Sequence, residues 1–163
     1  MFNNTVCGSP AQPTQDKNGT QKIKVNEIFG PTIQGEGRTV GKPVKFLRTA
    51  GCNLACVWCD TPYTWNWQGT DFEHPEKFDR EKEIHDMSVD EIKTQLDQIG
   101  KDVKALVISG GEPMLQQNKL VPLLHLLKND GYWVEIETNG TRAPSDEFLS
   151  LIDQINCSPK LTN

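Results

Sequence analysis

From residue 44 onward the chain repeats one pattern: a short apolar run, a glycine-rich or polar turn, a helix-length amphipathic segment, then the next apolar run. The runs cover 44–48, 104–109, 132–137 and 155–157. Strands separated by helices of this length read as βα units, and βα units build a parallel sheet. A helix is predicted over 88–99, where Ser88 and Glu91 form a capping box and Val89, Ile92, Leu96 and Ile99 share one face. A leucine-rich helix follows over 118–129, closed by Gly131, with Pro122 disturbing its first turn. A third covers 145–152, with Asp146 and Glu147 in the first turn, where the helix dipole favours them. Four such strands make an α/β fold, a partial (β/α) barrel. In these folds the chemistry sits at the C-terminal strand ends. Four motifs fall there: a cysteine loop after 44–48, Gly110-Gly-Glu-Pro113, Glu137-Thr-Asn-Gly140 and Ser158-Pro-Lys160.

The rest of the chain is less regular. Residues 23–29 read as a strand and 31–37 as a turn or loop, while 62–87 is long, polar and irregular, as functional or mobile loops are. Residues 1–21 hold almost no apolar side chains and are expected to form a flexible arm ahead of one domain over 22–163. The net charge of −5 leaves no electrostatic footprint for nucleic acid. No apolar run has the length of a membrane span, and the N-terminus lacks the pattern of a secretory signal. Five cysteines, three of them clustered, argue for metal binding in a reducing compartment, hence the cytoplasm, rather than for a disulfide framework.

The cluster is Cys52-x-x-x-Cys56-x-x-Cys59. Three thiolates are one short of a closed site, since a structural zinc or a fully ligated iron–sulfur cubane takes four. Three can hold three irons of a 4Fe–4S cluster and leave the fourth open to a small molecule. The alternative is a structural zinc completed by Cys157 or by one of His74, His85 and His125. Cys7 is expected to be incidental and Cys157 to be a small buried hydrophobe. The paired glycines Gly110 and Gly111 let a backbone come close to a ligand, and Glu112 beside them can accept hydrogen bonds from an ammonium group.

The spacing resembles the cluster motif of the radical S-adenosylmethionine (SAM) enzymes. Within that superfamily, Ile33-Gln-Gly-Glu-Gly37, Phe46 to Thr61 with its Cys-Asp-Thr ending, Ser109-Gly-Gly-Glu-Pro113, Glu137-Thr-Asn-Gly140 and Ser158-Pro-Lys160 resemble the 7-carboxy-7-deazaguanine synthases. The resemblance covers about residues 22–163. It implies a barrel of the radical SAM type, truncated at the C-terminus, because family members typically continue for several more βα elements. With those elements absent, the expectation is SAM cleavage uncoupled from product formation. It implies a lyase of 7-deazaguanine (queuosine-type) biosynthesis that converts 6-carboxy-5,6,7,8-tetrahydropterin into 7-carboxy-7-deazaguanine with loss of ammonia.

The resemblance also assigns roles. Cys52, Cys56 and Cys59 would hold the 4Fe–4S cluster. SAM would meet Trp58 near its adenine, Gly110, Gly111 and Glu112 at its amino group, Glu137, Thr138 and Asn139 at its ribose or carboxylate, and Ser158 and Lys160. Gln34, Gly35, Glu36 and Gly37 would border the pterin ring, with Arg48 facing its carboxylate. Thr61 would ligate Mg2+. The implied partners are the pterin, an electron donor such as a flavodoxin, and a second copy in a homodimer, with no nucleic acid and no membrane. Two rival readings are a small glycyl-radical-activating enzyme and a non-catalytic metal-binding module.

Overall fold

A computed structural model describes residues 21–160. Its strands are β1 (Ile23–Ile33), β2 (Pro43–Thr49), β3 (His85–Met87), β4 (Ala105–Gly110), β5 (Trp133–Thr138) and β6 (Gln154–Cys157). Its helices are α1 (Arg80–Glu83), α2 (Val89–Gln98), α3 (Gln117–Asn129) and α4 (Asp146–Ser150). All six strands form one sheet in the order β3-β1-β2-β4-β5-β6. β2, β4, β5 and β6 run parallel, as the βα pattern requires, and β1 and β3 add antiparallel pairings at the other edge.

Helices cover one face of the parallel strands and a cavity opens on the other, and the helix-facing side is the apolar one. Leu106, Val107 and Ile108 of β4 are fully buried, the near-continuous run expected of a central parallel strand. Leu47, Leu106, Ile108, Val134 and Ile136 pack against the helices. Ile92 and Leu96 of α2 and Leu120, Leu123, Leu124 and Leu127 of α3 have no exposed surface. Each such side chain contributes about 1.5–3 kcal/mol of burial, so α3 is held by packing although Pro122 removes one of its hydrogen bonds.

Local signals set most helix ends. The Ser88–Glu91 capping box forms, with the Ser88 N–H donating to Glu91 Oε2 at 2.7 Å and the Glu91 N–H to Ser88 Oγ at 3.3 Å. Gly131 closes α3 with φ +77°, a left-handed conformation that costs glycine little. The 3-10 turn Pro113–Gln116 leads into α3, which carries Pro122 inside it rather than in its first turn. α4 ends at Ser150, short of the expected 152, because the Leu151 N–H turns back to Phe148 O in a tightened last turn.

Three features depart from the sequence reading. β1 does not stop at Phe29 but runs to Ile33, passing Gly30 and Pro31 by a register shift against β2. Such an irregularity lets an edge pairing continue past a proline. The 62–87 segment is more ordered than its composition suggests. It contains the 3-10 turn Pro62–Thr64, α1 and β3, and Lys77 ties it internally. The Lys77 ammonium donates to Asn66 Oδ1 (2.8 Å), Thr70 O (2.9 Å) and Phe72 O (2.8 Å), so one charged group gathers the turn around the few aromatic rings of the segment. Finally, Lys45 is fully buried on the helix side of β2. Its ammonium donates to Leu96 O (2.6 Å) near the end of α2 and to Tyr132 Oη (3.1 Å). Burial, then the charge of Lys104, lowers its pKa from the ordinary lysine value.

Candidate functional site

The other face of the sheet opens into a cavity of about 410 Å3 at the C-terminal strand ends. That volume suits a small-molecule site. Strand alternation places its floor. Phe46 and Arg48 of β2, Ser109 of β4, Glu137 of β5 and Asn156 of β6 all line it, while the intervening Leu47, Ile108 and Ile136 face the helices. The cysteine loop after β2 supplies one wall and the 34–36 turn another.

Cys52, Cys56 and Cys59 all face this cavity, and all three are free thiols. Two of the sulfurs already accept hydrogen bonds: the Leu54 N–H reaches Cys52 Sγ at 3.5 Å and the indole N–H of Trp65 reaches Cys59 Sγ at 3.3 Å. The Thr61 hydroxyl stands 3.7 Å from Cys59 Sγ. Burial is the main cause that pushes the Cys52 thiol above the ordinary range, with the charges of Glu112, Cys56 and Cys59 adding to it and the Leu54 N–H opposing. Among the described residues no three His, Cys, Asp or Glu side chains are grouped to hold a single metal ion. A four-iron cluster makes a different demand, because each thiolate goes to its own iron and the sulfurs are spread around the cluster. Free thiols on one cavity wall with N–H donors aimed at their sulfurs fit that demand. Among the described residues the zinc alternative finds no fourth ligand in the cavity wall, where none of Cys157, His74, His85 and His125 lies. Cys157 is exposed rather than buried, with its sulfur against Gly140, and His74 packs edge-on to Trp65 at 5.9 Å. Neither lines the cavity. Cys7 lies outside the described residues.

Gly110 and Gly111 line the cavity, and the structure gives them a second task. The Gly111 N–H donates to Thr49 O (3.1 Å) and the Glu112 N–H to Gly51 O (2.8 Å). A Cβ on Gly110 would stand 2.1 Å from Thr49 O, and one on Gly111 2.2 Å from Gly51 O. The glycine pair therefore seats the root of the cysteine loop directly on the end of β4.

Glu112 departs from expectation. It is fully buried and is not among the cavity-lining residues. Its Oε1 accepts from the Met114 N–H (2.9 Å) and the Thr138 hydroxyl (2.8 Å), and its Oε2 from the Asn139 N–H (2.8 Å). The carboxylate is consumed in tying the β4 turn to the β5 turn. Thr138, Asn139 and Glu137 remain on the cavity wall. Asn139 is tied in turn to the cysteine loop, its amide donating to Asn53 Oδ1 at 3.2 Å.

The remaining expected residues divide. Trp58, 58% exposed, and Glu36, Ser158 and Lys160 lie at the rim, with the Lys160 ammonium on Ser158 Oγ at 2.8 Å. Gln34 and Gly35 line the wall, but Gly37 does not: it packs over the Asn156 side chain. Gln34 is buried and its amide is committed, accepting from the Glu36 N–H (3.1 Å) and donating to Glu137 Oε1 (3.2 Å) and Glu135 Oε2 (3.4 Å). Arg48 holds Glu27 through Nε at 2.7 Å and lies over the Phe29 ring. Among the described residues its terminal nitrogens have no acceptor. Thr61 occupies the cap position of the Pro62–Thr64 turn, yet its hydroxyl makes no capping bond.

Sequence reasoning missed Trp65, Asn53, Asn156 and the fully buried Glu135. The two β-strand residues were accessible in principle from strand alternation, since Glu135, Glu137 and Asn156 fall on the inward parity. Trp65 and Asn53 meet their partners only through tertiary structure.

A family model for the radical SAM superfamily matches residues 46–159. The chain is 41% identical over 140 residues to the 7-carboxy-7-deazaguanine synthase of Bacillus cereus, an alignment covering 85% of this chain and 53% of that one. It is 35% identical over 139 residues to the Escherichia coli protein of the same name, covering 81% and 61%. The chain spans about half the length of the curated relatives it matches. A solved structure, the crystal structure of QueE from Escherichia coli, superposes with a TM-score of 0.61 at 28% identity, covering 82% of this chain and 69% of that one.

Proposed function

Because the chain belongs to the radical SAM superfamily, whose members carry a 4Fe–4S cluster and SAM, we propose that its reaction is that of the 7-carboxy-7-deazaguanine synthases. The substrate would be 6-carboxy-5,6,7,8-tetrahydropterin and the product 7-carboxy-7-deazaguanine, with ammonia lost. One observation carries the reading: a single cavity collects the three free thiols, the β4 and β5 turns, and the Gln34–Glu36, Arg48 and Thr61 side chains. When bound, the cluster and SAM supply a one-electron reductive cleavage that yields a radical able to take hydrogen from the substrate.

The chain's own residues do the rest. Cys52, Cys56 and Cys59 would hold the cluster, one thiolate to an iron. Gly110, Gly111, Thr138 and Asn139 offer SAM a narrow polar shelf, and Trp58 a flat apolar surface at the rim. Gln34 accepts from the Glu36 main-chain N–H and donates to Glu137 Oε1, so it fixes the turn that carries Glu36 and orients the Glu137 carboxylate toward the pterin edge rather than reading that edge alone. Arg48 is braced by Glu27 through one nitrogen and keeps its planar fork free for the substrate carboxylate. Thr61 has a hydroxyl without a capping bond beside the cluster wall. A magnesium ion held by that one oxygen, with substrate oxygens and water completing its shell, is ordinary coordination for this cation. Trp65, 3% exposed, closes the wall beside Cys59 to water.

The test is one anaerobic reaction of the reconstituted protein with SAM, reductant and the tetrahydropterin, in which 5′-deoxyadenosine and 7-carboxy-7-deazaguanine are both measured. Deazaguanine should appear only with the pterin present. Equal 5′-deoxyadenosine with and without pterin, and no pterin binding, would overturn the substrate assignment. Thr61→Val keeps the side-chain shape and removes the oxygen. It is expected to leave SAM cleavage intact while blunting the response of pterin turnover to added magnesium. An unchanged magnesium response would move the ion elsewhere. The proposal extends to the partners: an electron donor such as a flavodoxin, and a second copy of the chain.

A further inference from the structure

We propose that Trp65 is a positioning residue for the cluster: its indole N–H, pressed against the Cys59 sulfur by the 62–78 loop, raises the potential at which the cluster accepts its electron. The contact is short and enclosed. Trp65 Nε1 lies 3.3 Å from Cys59 Sγ, and the side chain is 3% exposed. An indole nitrogen is a donor only, and this sulfur is its one partner among the described residues.

The loop sets the direction of that N–H. Phe72 and His74 pack edge-on to the Trp65 ring, with centroids 5.2 and 5.9 Å away and planes inclined by 82°. Each of these two is held by its own backbone carbonyl. The Lys77 ammonium binds Phe72 O (2.8 Å) and the Asn66 amide binds His74 O (3.3 Å). At the near end, the Trp65 N–H of the backbone turns onto Pro62 O at 3.1 Å. The order in this polar segment thus converges on the orientation of one ring. That gives the segment a task which its irregular composition did not disclose.

The electrostatic consequence has a definite sign. The reduced cluster differs from the oxidised one by one electron and no proton, and part of the added charge falls on the ligating sulfurs. An N–H donor stabilises the more negative form more, so the couple shifts to higher potential. Hydrogen bonds to sulfur and exclusion of solvent are two of the levers that set such potentials. Of the two N–H donors on the cysteine sulfurs, the Leu54 N–H belongs to the backbone. Trp65 supplies its N–H from a side chain and can be changed. The electron itself comes from a low-potential one-electron donor, for which dithionite stands in below.

The inference rests on the superfamily reading of the cysteine trio, and the experiment separates the two. The full chain is reconstituted anaerobically, its iron and sulfide are counted, and its midpoint potential is read by an EPR-monitored dithionite titration. Trp65→Phe removes the N–H and part of the ring. Replacing Trp65 with 3-benzothienylalanine keeps the bicyclic shape and puts sulfur where the N–H stood. Both are expected to shift the midpoint to more negative values, the isostere with full cluster content. Trp67→Phe, whose N–H goes to Tyr63 O at 3.1 Å, should leave it in place. An isostere-bearing protein with the unmodified potential would overturn the proposal and leave Trp65 a packing residue. An unmodified protein that takes up no four-iron cluster would overturn the superfamily reading, and this proposal with it.

Discussion

Cys56→Ala is expected to leave a folded, colourless protein with no SAM cleavage. Each thiolate of the trio serves one iron, so removing one leaves two protein ligands, and two of the four irons then lack a cysteine. The fold should survive because little is lost from it. Cys56 is 9% exposed and packs as a small apolar group, and the turn it starts is kept by the backbone bond from the Cys59 N–H to Cys56 O at 3.1 Å. Deleting one buried sulfur costs about 1 kcal/mol at such a site. Thermal unfolding of the cluster-free variant should therefore match that of the cluster-free parent closely, while iron and sulfide content fall to background. Cys157→Ser should retain a full cluster, since its sulfur lies against Gly140 and away from the cavity. Normal iron content in Cys56→Ala would mean that a ligand outside the trio completes the site.

The second large effect is expected at Glu112, and it is an effect on folding first. Its carboxylate accepts three hydrogen bonds, from the Met114 and Asn139 backbone N–H groups and the Thr138 hydroxyl, with no exposure to water. A hydrogen bond to a charged group is worth about 1.5–3 kcal/mol, and three that share one carboxylate are less than additive. Glu112→Ala should cost about 3 kcal/mol or more, a fall in Tm of about 6–12 °C for a chain of this size. Glu112→Gln should cost less but still register, because its amide must turn one N–H toward a backbone donor. SAM affinity should drop in both, as the Thr138–Asn139 shelf loosens. The alternative, that Glu112 holds the SAM ammonium itself, makes the opposite forecast: Glu112→Gln would unfold like the parent and lose only affinity. Calorimetric unfolding of the cluster-loaded variants, paired with anaerobic SAM titration, decides between them.

Glu112 also marks where the sequence is legible and where it stops. Residues 109–113 read as a ligand-binding turn because two glycines and a carboxylate follow a buried strand. The structure keeps the turn and the glycines at the cavity but turns the carboxylate inward to the donors of a second turn 26 residues away. No local pattern carries that pairing. The parallel strands were legible because burial on both faces writes a continuous apolar run, as in Leu106 to Ile108. β3 was not, since His85-Asp-Met87 is a short polar edge strand that exists only because β1 offers it a register. β1 past Gly30-Pro31 was read as a turn for sound local reasons and is carried on by its neighbour. The cysteine trio was plain in one dimension, whereas the Trp65 donor six residues beyond needed the loop to fold back.

The glycines have a genetic consequence. An alanine at Gly111 collides with the main-chain carbonyl of Gly51, an atom every residue type presents identically, so no exchange of side chains at position 51 can make room. Suppressors of Gly111→Ala should be absent there. Gly37 is the contrasting case: its added Cβ would meet the side chain of Asn156, 2.3 Å from Oδ1. Shortening residue 156 removes that obstacle and leaves only the left-handed backbone at φ +66°, a residual penalty of about 1–2 kcal/mol. The two glycines thus differ in kind. One is fixed by chemistry common to all twenty amino acids, the other by a neighbouring side chain that a second substitution can shorten.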